Sequence, residues 1–400
     1  MTDSDPAEAL GLYVHVPFCA RACPYCDFDF EVLRQTESET GALAPRVSAW
    51  LEGLEAERDE RWAGELAGRR VDTLYLGGGT PSAIGVAGLE RLFAWVESRF
   101  ALRLAALDEV TVELNPEHLD AALLARLVDA GVSRVSLGVQ SLAASGLREL
   151  GRVHAREQAL ACVRRAHGAG LGTSADLMLG WRGQTPAGLR REIDALLEAG
   201  AGHLSIYALT IEEDTPWPGL VARGQRELPD DDVQAELLQV AEGHLAARGF
   251  RHYEVASYAA PGGAEAIHNG KYWRWRDVVA LGPSAVSVRH GLVEGRGVVA
   301  RRMNPRGLER WLSGAAPEYE RLEGESAAAE GLWLGLRRLE GVDVAAFSRR
   351  FGLPRSWVEA RVARQVGLGN LEWVGDPPAA RLRVAPGRWL VHDTIAVDLL

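Results

Sequence analysis

The chain has 400 residues, 47% of them hydrophobic, and a formal net charge of −11. That is enough apolar material for two or three domains, and so acidic a balance argues against nucleic acid as a partner, which needs clustered positive charge. Four cysteines are too few for a disulfide framework.

The opening MTDSDPAEAL is polar and acidic, and no run of eighteen apolar residues follows. The expectation is a cytoplasmic protein, with peripheral contact at a membrane left open. Six β-rich segments then recur: LYVHV (12–16), TLYLG (73–77), VTVEL (110–114), RVSLGV (134–139), SADLML (174–179) and HLSIYAL (203–209). Segments of helical period lie between them, among them 87–100, 120–132 and 186–200. This alternation predicts an α/β fold, a parallel sheet with helices outside, either doubly wound or curled into an incomplete barrel. Beyond residue 210 the pattern predicts an amphipathic helix over 230–250, a strand over 251–259 and an aromatic loop over 262–277. Further helices are expected within 326–352 and 354–369, then a hairpin and closing helix within 382–400.

Function in such folds gathers at the carboxyl ends of the strands. The motif-bearing segments fall there: HVPFCARACPYCDFDF (15–30) after the first strand, GGGTPS (77–82) after the second, ELNP (113–116) and GVQS (138–141) at the third and fourth. Cys19, Cys23 and Cys26 stand in C-x3-C-x2-C spacing. A zinc site wants four ligands, and no second pair completes it; a dithiol would leave Cys19 without a role. Three thiolates suit an iron–sulfur cluster with one iron left open to a substrate. Cys162 lies in a helical pattern and reads as a core thiol. GGGTPS lacks the spacing of a phosphate loop, but Gly78, Gly79 and Thr80 can offer backbone and hydroxyl groups to an amino-acid end.

LYVHVPFCARACPYCDFD, LYLGGGTPS, ELNPE, GVSRVSLGVQSL, LGRVH, DLMLG and HNGKYW, in this order, resemble the radical SAM enzymes, and within them the coproporphyrinogen dehydrogenase group with its HemW haem-chaperone branch. The resemblance spans 11–400. It implies an incomplete (βα)6 barrel over 11–210, a barrel extension carrying HNGKYW over 211–300, and a small, mainly helical C-terminal domain over 301–400. It implies a 4Fe–4S cluster on Cys19, Cys23 and Cys26, whose open iron would chelate S-adenosylmethionine (SAM) and whose electron would cleave it to a 5′-deoxyadenosyl radical. Tyr13 and Tyr25 would lie by the cluster and adenosine, and Gly78, Gly79 and Thr80 at the methionine end. Glu113, Gln140, Arg152, Asp176 and Ala208 would complete the site, Arg152 suiting a carboxylate and Asp176 ribose hydroxyls.

The dehydrogenase branch carries a further cysteine where this chain has Phe28, which points to the haem-chaperone branch. In HNGKYW, His268 is a candidate axial haem ligand or a structural histidine, and Tyr272 and Trp273 can stack on a porphyrin. Two segments depart from the family pattern: GWRGQT (180–185) and GPSAVS (282–287). The implied function is haem binding and delivery to haem proteins of the respiratory chain, with an external electron donor to the cluster; the alternative is oxygen-independent coproporphyrinogen III oxidation. Whether SAM is turned over stays open.

Overall fold

The structure, a computed structural model, describes residues 9–33, 43–376 and 380–400; the acidic start of the chain, residues 1–8, lies outside them. All six β-rich segments are strands: β1 (Leu10–Val16), β2 (Val71–Gly78), β3 (Glu109–Leu114), β4 (Arg134–Gln140), β5 (Gly172–Leu179) and β6 (His203–Ala208). Each pairs in parallel with the next, so spatial order follows sequence order without reversal. That decides between the two architectures. Right-handed crossovers that always advance in one direction put every helix on one face and curl the sheet, whereas a doubly wound sheet must reverse. The crossovers carry α1 (Pro45–Arg61), α2 (Gly85–Phe100), α3 (Ala121–Asp129), α4 (Arg156–Gly168) and α5 (Pro186–Glu198).

Alternation along the strands sorts the side chains. Leu12, Val14, Leu74, Leu76, Val110, Val112, Leu137 and Leu177 join Leu92 of α2, Leu127 of α3 and Ile193 of α5 in one buried core. The intervening positions, with Tyr13, Tyr75, Glu113, Ser136 and Asp176, turn to the opposite face. Strands covered by helices on both faces read as continuous apolar runs, so this polar inner face is built for something other than helix packing.

The sheet continues past both ends of the barrel. After α6 (Asp231–Ala246), the single strand expected over 251–259 is two antiparallel strands, β7 (Arg251–Glu254) and β8 (Ser257–Ala259), with β8 against β6. On the other side β9 (Val278–Leu281) pairs in parallel with β1. There β10 (Val286–Val293), β11 (Arg296–Met303) and β12 (Glu318–Glu323) follow as an antiparallel meander. The order is β12-β11-β10-β9-β1-β2-β3-β4-β5-β6-β8-β7.

The aromatic segment 262–277 is not wholly a loop: Ile267–Trp273 forms α7. The Glu109 carboxylate on β3 accepts the backbone N–H groups of Ile267 (2.8 Å) and His268 (3.0 Å), two of the donors a helix start leaves unpaired. The C-terminal region is mainly helical, with α8 (Glu325–Leu336), α9 (Val344–Phe351), α10 (Arg355–Gly367) and α11 (His392–Leu399). Its hairpin lies earlier than expected, joining Leu371–Val374 to Arg381–Val384. A second core of Phe347, Phe351, Leu332 and Val362 packs against Val278, Val288 and Val299 of the sheet. Among the described residues no helix is long and apolar enough to cross a membrane.

Candidate functional site

β1 runs directly into the cysteine loop, which leaves from Phe18–Cys19 and returns to pair at Glu31–Val32. The loop is held at three places. Tyr25 packs against the cluster of Leu150, Trp181, Leu209 and Trp217, to which Trp181, in a segment that departs from the family pattern, contributes. Asp29 accepts hydrogen bonds from the Ser284 hydroxyl (2.6 Å) and the Gly307 N–H (2.7 Å), and Arg306 donates to the Asp27 carbonyl (2.9 Å). GPSAVS, the other departing segment, thus anchors the loop through Ser284.

Beneath the loop, at the carboxyl ends of the strands, lies a cleft of about 370 Å³. It is lined by Cys19, Cys23, Tyr25, Cys26, Gly79, Thr80, Glu113, Gln140, Arg152, Asp176 and Ala208, all read from the sequence. A polar chain ties two thiols to the strand ends. Cys19 Sγ lies 3.3 Å from Thr80 Oγ1, and Asn115 Nδ2 donates to the same oxygen at 3.4 Å. Arg152 donates from Nη2 to Asn115 Oδ1 (2.5 Å) and the Gly138 carbonyl (2.8 Å), and from Nη1 to Cys23 Sγ (3.5 Å). Close backbone approach explains the glycines. A Cβ on Gly79 would stand 2.6 Å from the Phe18 carbonyl oxygen, and Gly78, at φ 110°, has the His15 ring 2.6 Å from where its Cβ would be.

The electrostatics are those of a dry, charged site. Burial pushes Glu113 up to about 7, opposed by the 2.6 Å hydrogen bond from the Tyr75 hydroxyl and reinforced by Asp176. Burial likewise lifts Asp176 to about 6, against hydrogen bonds from Ser205 and Ser136. Desolvation raises the Cys19 thiol to about 12 and Cys26 to about 11. Without a metal Cys19 and Cys26 therefore favour the neutral thiol, and a bound cation would supply the charge that stabilises their thiolates. Among the described residues no three His, Cys, Asp or Glu side chains surround a single metal ion. Three thiols sharing one cleft without converging on one point fit a multi-iron cluster with one thiolate per iron better than a lone ion. Arg152 Nε and Gln140 Oε1 are buried without partners, a donor and an acceptor left for a ligand.

Gly78 and Tyr13 line an adjoining groove of about 610 Å³, which shares Asp27, Phe28 and Glu113 with the cleft. Tyr13 also stacks on Tyr75, ring centroids 6.1 Å apart. Tyr272 and Trp273 border, with Tyr13, a further cavity of about 340 Å³. His268 is not brought to any of these spaces. It is 1% exposed, with Nδ1 3.0 Å from Thr73 Oγ1, and burial lowers its pKa to about 3. The sequence reading passed over Asn115, Ser136 and Tyr207, which also line the cleft. For Asn115 and Tyr207 the position at a strand's carboxyl end was the available signal; Ser136, earlier in its strand, carried none beyond its alternation with the apolar positions.

A family model described as the radical SAM superfamily matches residues 13–196. "Heme chaperone HemW" of Mycobacterium tuberculosis is 36% identical over 402 residues, covering 99% of this chain and 96% of its own. The protein of the same name from Escherichia coli is 31% identical over 373 residues, covering 92% and 93%. In three dimensions the chain is similar to the coproporphyrinogen III oxidase HemN of Escherichia coli, described as a radical SAM enzyme, with a TM-score of 0.78 at 21% identity over 98% of this chain and 90% of that one; this likeness bears on the fold. A curled parallel sheet with three thiols after its first strand and this identity along nearly the whole length lead to one conclusion: the chain belongs to the HemW family of the radical SAM superfamily.

Proposed function

We propose that this chain is a haem chaperone that carries a 4Fe–4S cluster on Cys19, Cys23 and Cys26, binds SAM in the cleft, and holds haem for delivery to haem proteins. The observation that carries the reading is Phe28. Two residues after Cys26, 63% exposed and facing both cleft and groove, it puts an apolar ring where a fourth thiol would otherwise stand. The names of the two relatives support the same reading.

When bound, the reduced cluster supplies one-electron chemistry to the SAM sulfonium. The chain's own residues bind and orient. Arg152, with Nε unpaired, would take the SAM carboxylate, Gly79 and Thr80 its amino-acid end, with Gly78 on the adjoining groove, and Asp176 the ribose hydroxyls. Glu113, Gln140 and Ala208 complete the wall, and Tyr25, packed against the Leu150–Trp217 cluster, borders the same cleft as the thiols. The acceptors proposed are respiratory haem proteins reached from the cytoplasmic side, with an external donor reducing the cluster.

Anaerobically reconstituted protein tests this in two arms. Titrated with haem, it should bind at a defined stoichiometry. Given coproporphyrinogen III, SAM and reductant, it should form no protoporphyrinogen IX. Product above a no-SAM control would overturn the chaperone reading in favour of the oxidase.

A further inference from the structure

A cavity of about 590 Å³ lies apart from the thiol cleft and shares no lining residue with it. Arg274 and Arg276, on the segment between α7 and β9, form one side. The other is built by Arg338 just after α8, by Arg349 and Arg350 near the end of α9, and by Arg381 of the hairpin. Val342 and Asp343 pair with Leu382 and Arg381, which ties the hairpin to the start of α9. The place in the sheet is fixed as well. Val278, two residues after Arg276, pairs with Gly11 at the start of β1, whereas the cysteine loop leaves the other end of that strand.

Six guanidiniums thus line the cavity against two carboxylates, Glu340 and Asp343, in a chain whose net charge is −11. The acids do not balance them. Asp343 is turned to the start of α9, where it accepts the Ala346 N–H at 2.9 Å. Glu340, its side chain 52% exposed, is shared: it contacts Arg338 and lies 3.7 Å from Arg381 and 4.0 Å from Arg274. Glu265, which takes Arg274 at 3.2 Å, also pairs with Arg251. Other bonds aim the guanidiniums without neutralising them. Arg381 donates to the carbonyls of Glu340 (2.8 Å) and Gly341 (2.9 Å), and Arg350 to that of Trp275 (2.7 Å). Arg338 shows the imbalance. Its side chain is 17% exposed, and burial, with repulsion from Arg274 and Arg381, pushes its pKa down to about 10. Cations held this close and partly out of water are stabilised by an anion between them.

We propose that this cavity binds a compact polyanion, a small molecule carrying two or more adjacent phosphate or carboxylate groups. A guanidinium fork matches either oxyanion, and several forks together favour a multiply charged ligand over a single group. The volume suits a small molecule. The site stands apart from the haem-chaperone reading. It lies at the far end of β1 from the thiols, seven residues or about 20 Å at strand rise, so a ligand here acts on the junction between the segment after α7 and the C-terminal region, not on the cluster.

The test is calorimetry on the full chain with its cluster reconstituted, titrated with tripolyphosphate, citrate and inorganic phosphate. Tripolyphosphate or citrate should bind at one per chain, about tenfold or more tightly than inorganic phosphate; the tighter of the two separates a phosphoryl from a carboxyl ligand. Arg338→Ala should weaken that probe about tenfold or more, and Arg338→Lys, which keeps the charge but loses the fork, by less, with the cluster absorbance kept. If Arg338→Ala misfolds, Arg349→Glu, a charge reversal at an exposed position, should abolish binding instead. Arg103→Ala, at a side chain 84% exposed and outside the cavity, should bind as wild type does. Failure of wild type to bind either polyanion overturns the site, as does inorganic phosphate binding as tightly as both. Wild-type affinity in the Arg338 and Arg349 variants overturns it too. So does an equal loss in Arg103→Ala, the mark of diffuse attraction to a charged surface.

Discussion

The four cysteines are one kind of side chain in two kinds of place. Cys162 is 1% exposed inside α4, among Leu137, Val163 and Leu189 of the barrel core, and burial raises its thiol to about 12. The other three share a cleft with Arg152, Asn115 and Thr80. Iron and sulfide analysis after anaerobic reconstitution should find about four irons per chain in wild type and in Cys162→Ala, since three thiolates suffice when the fourth iron is left to SAM. Cys19→Ala, Cys23→Ala and Cys26→Ala should each lose the cluster. Retention of a full cluster by any one of these three would remove that residue from the ligand set. The spacing of the thiols was legible in the sequence because they sit within eight residues. Asn115 was not singled out, because what distinguishes it is a bond to Arg152, 37 positions away.

At the scale of elements, α7 shows where local reading fails. Nothing beside it in sequence caps it: its N-cap is Ala266, with no side-chain bond, and Gly270 lies in its middle. Its start is satisfied by Glu109, 158 positions earlier, so the segment looks like a loop until β3 is beside it. Glu109→Ala should leave the buried His268 N–H and the partly buried Ile267 N–H unpaired and lower stability by about 1–3 kcal/mol, measured by urea unfolding. Because Tyr272 and Trp273 lie on this helix, the variant should also weaken haem binding. Wild-type stability in Glu109→Ala would show that the cap contributes nothing. The hairpin β7–β8 is a similar case: RHYEVASYA alternates like one strand, and only the antiparallel pairing of Ser257 with Glu254 reveals the turn.

At the scale of the whole molecule, β1 lies inside the sheet, not at an edge, because β9 pairs with it in parallel on the side away from β2. Residues 278–281, all buried, thereby complete the environment of the strand that leads into the cysteine loop. The loop's far anchors, Ser284, Arg306 and Gly307, also come from this later part of the chain. A fragment ending at residue 277 should expose the edge of β1 and the apolar face of Val278's neighbours, and should aggregate or bind a hydrophobic dye where the full chain does not. A fragment that remains monomeric, folded by circular dichroism and able to hold the cluster would show that the barrel needs none of these contacts.

By itself the sequence determined what is local or periodic: six strands and their intervening helices, the C-x3-C-x2-C loop, and the placing of GGGTPS, ELNP and GVQS at strand ends. These are legible because alternation, helical period and short spacings depend only on near neighbours. Tertiary structure decided the rest. Whether the sheet winds one way or both depends on strand order, which no strand records about itself. That 267–273 is a helix depends on a carboxylate from β3. That Tyr272 and Trp273 border a cavity while His268, on the same helix, borders none depends on how α7 meets β10 and α8, a relation among distant segments that only packing can fix.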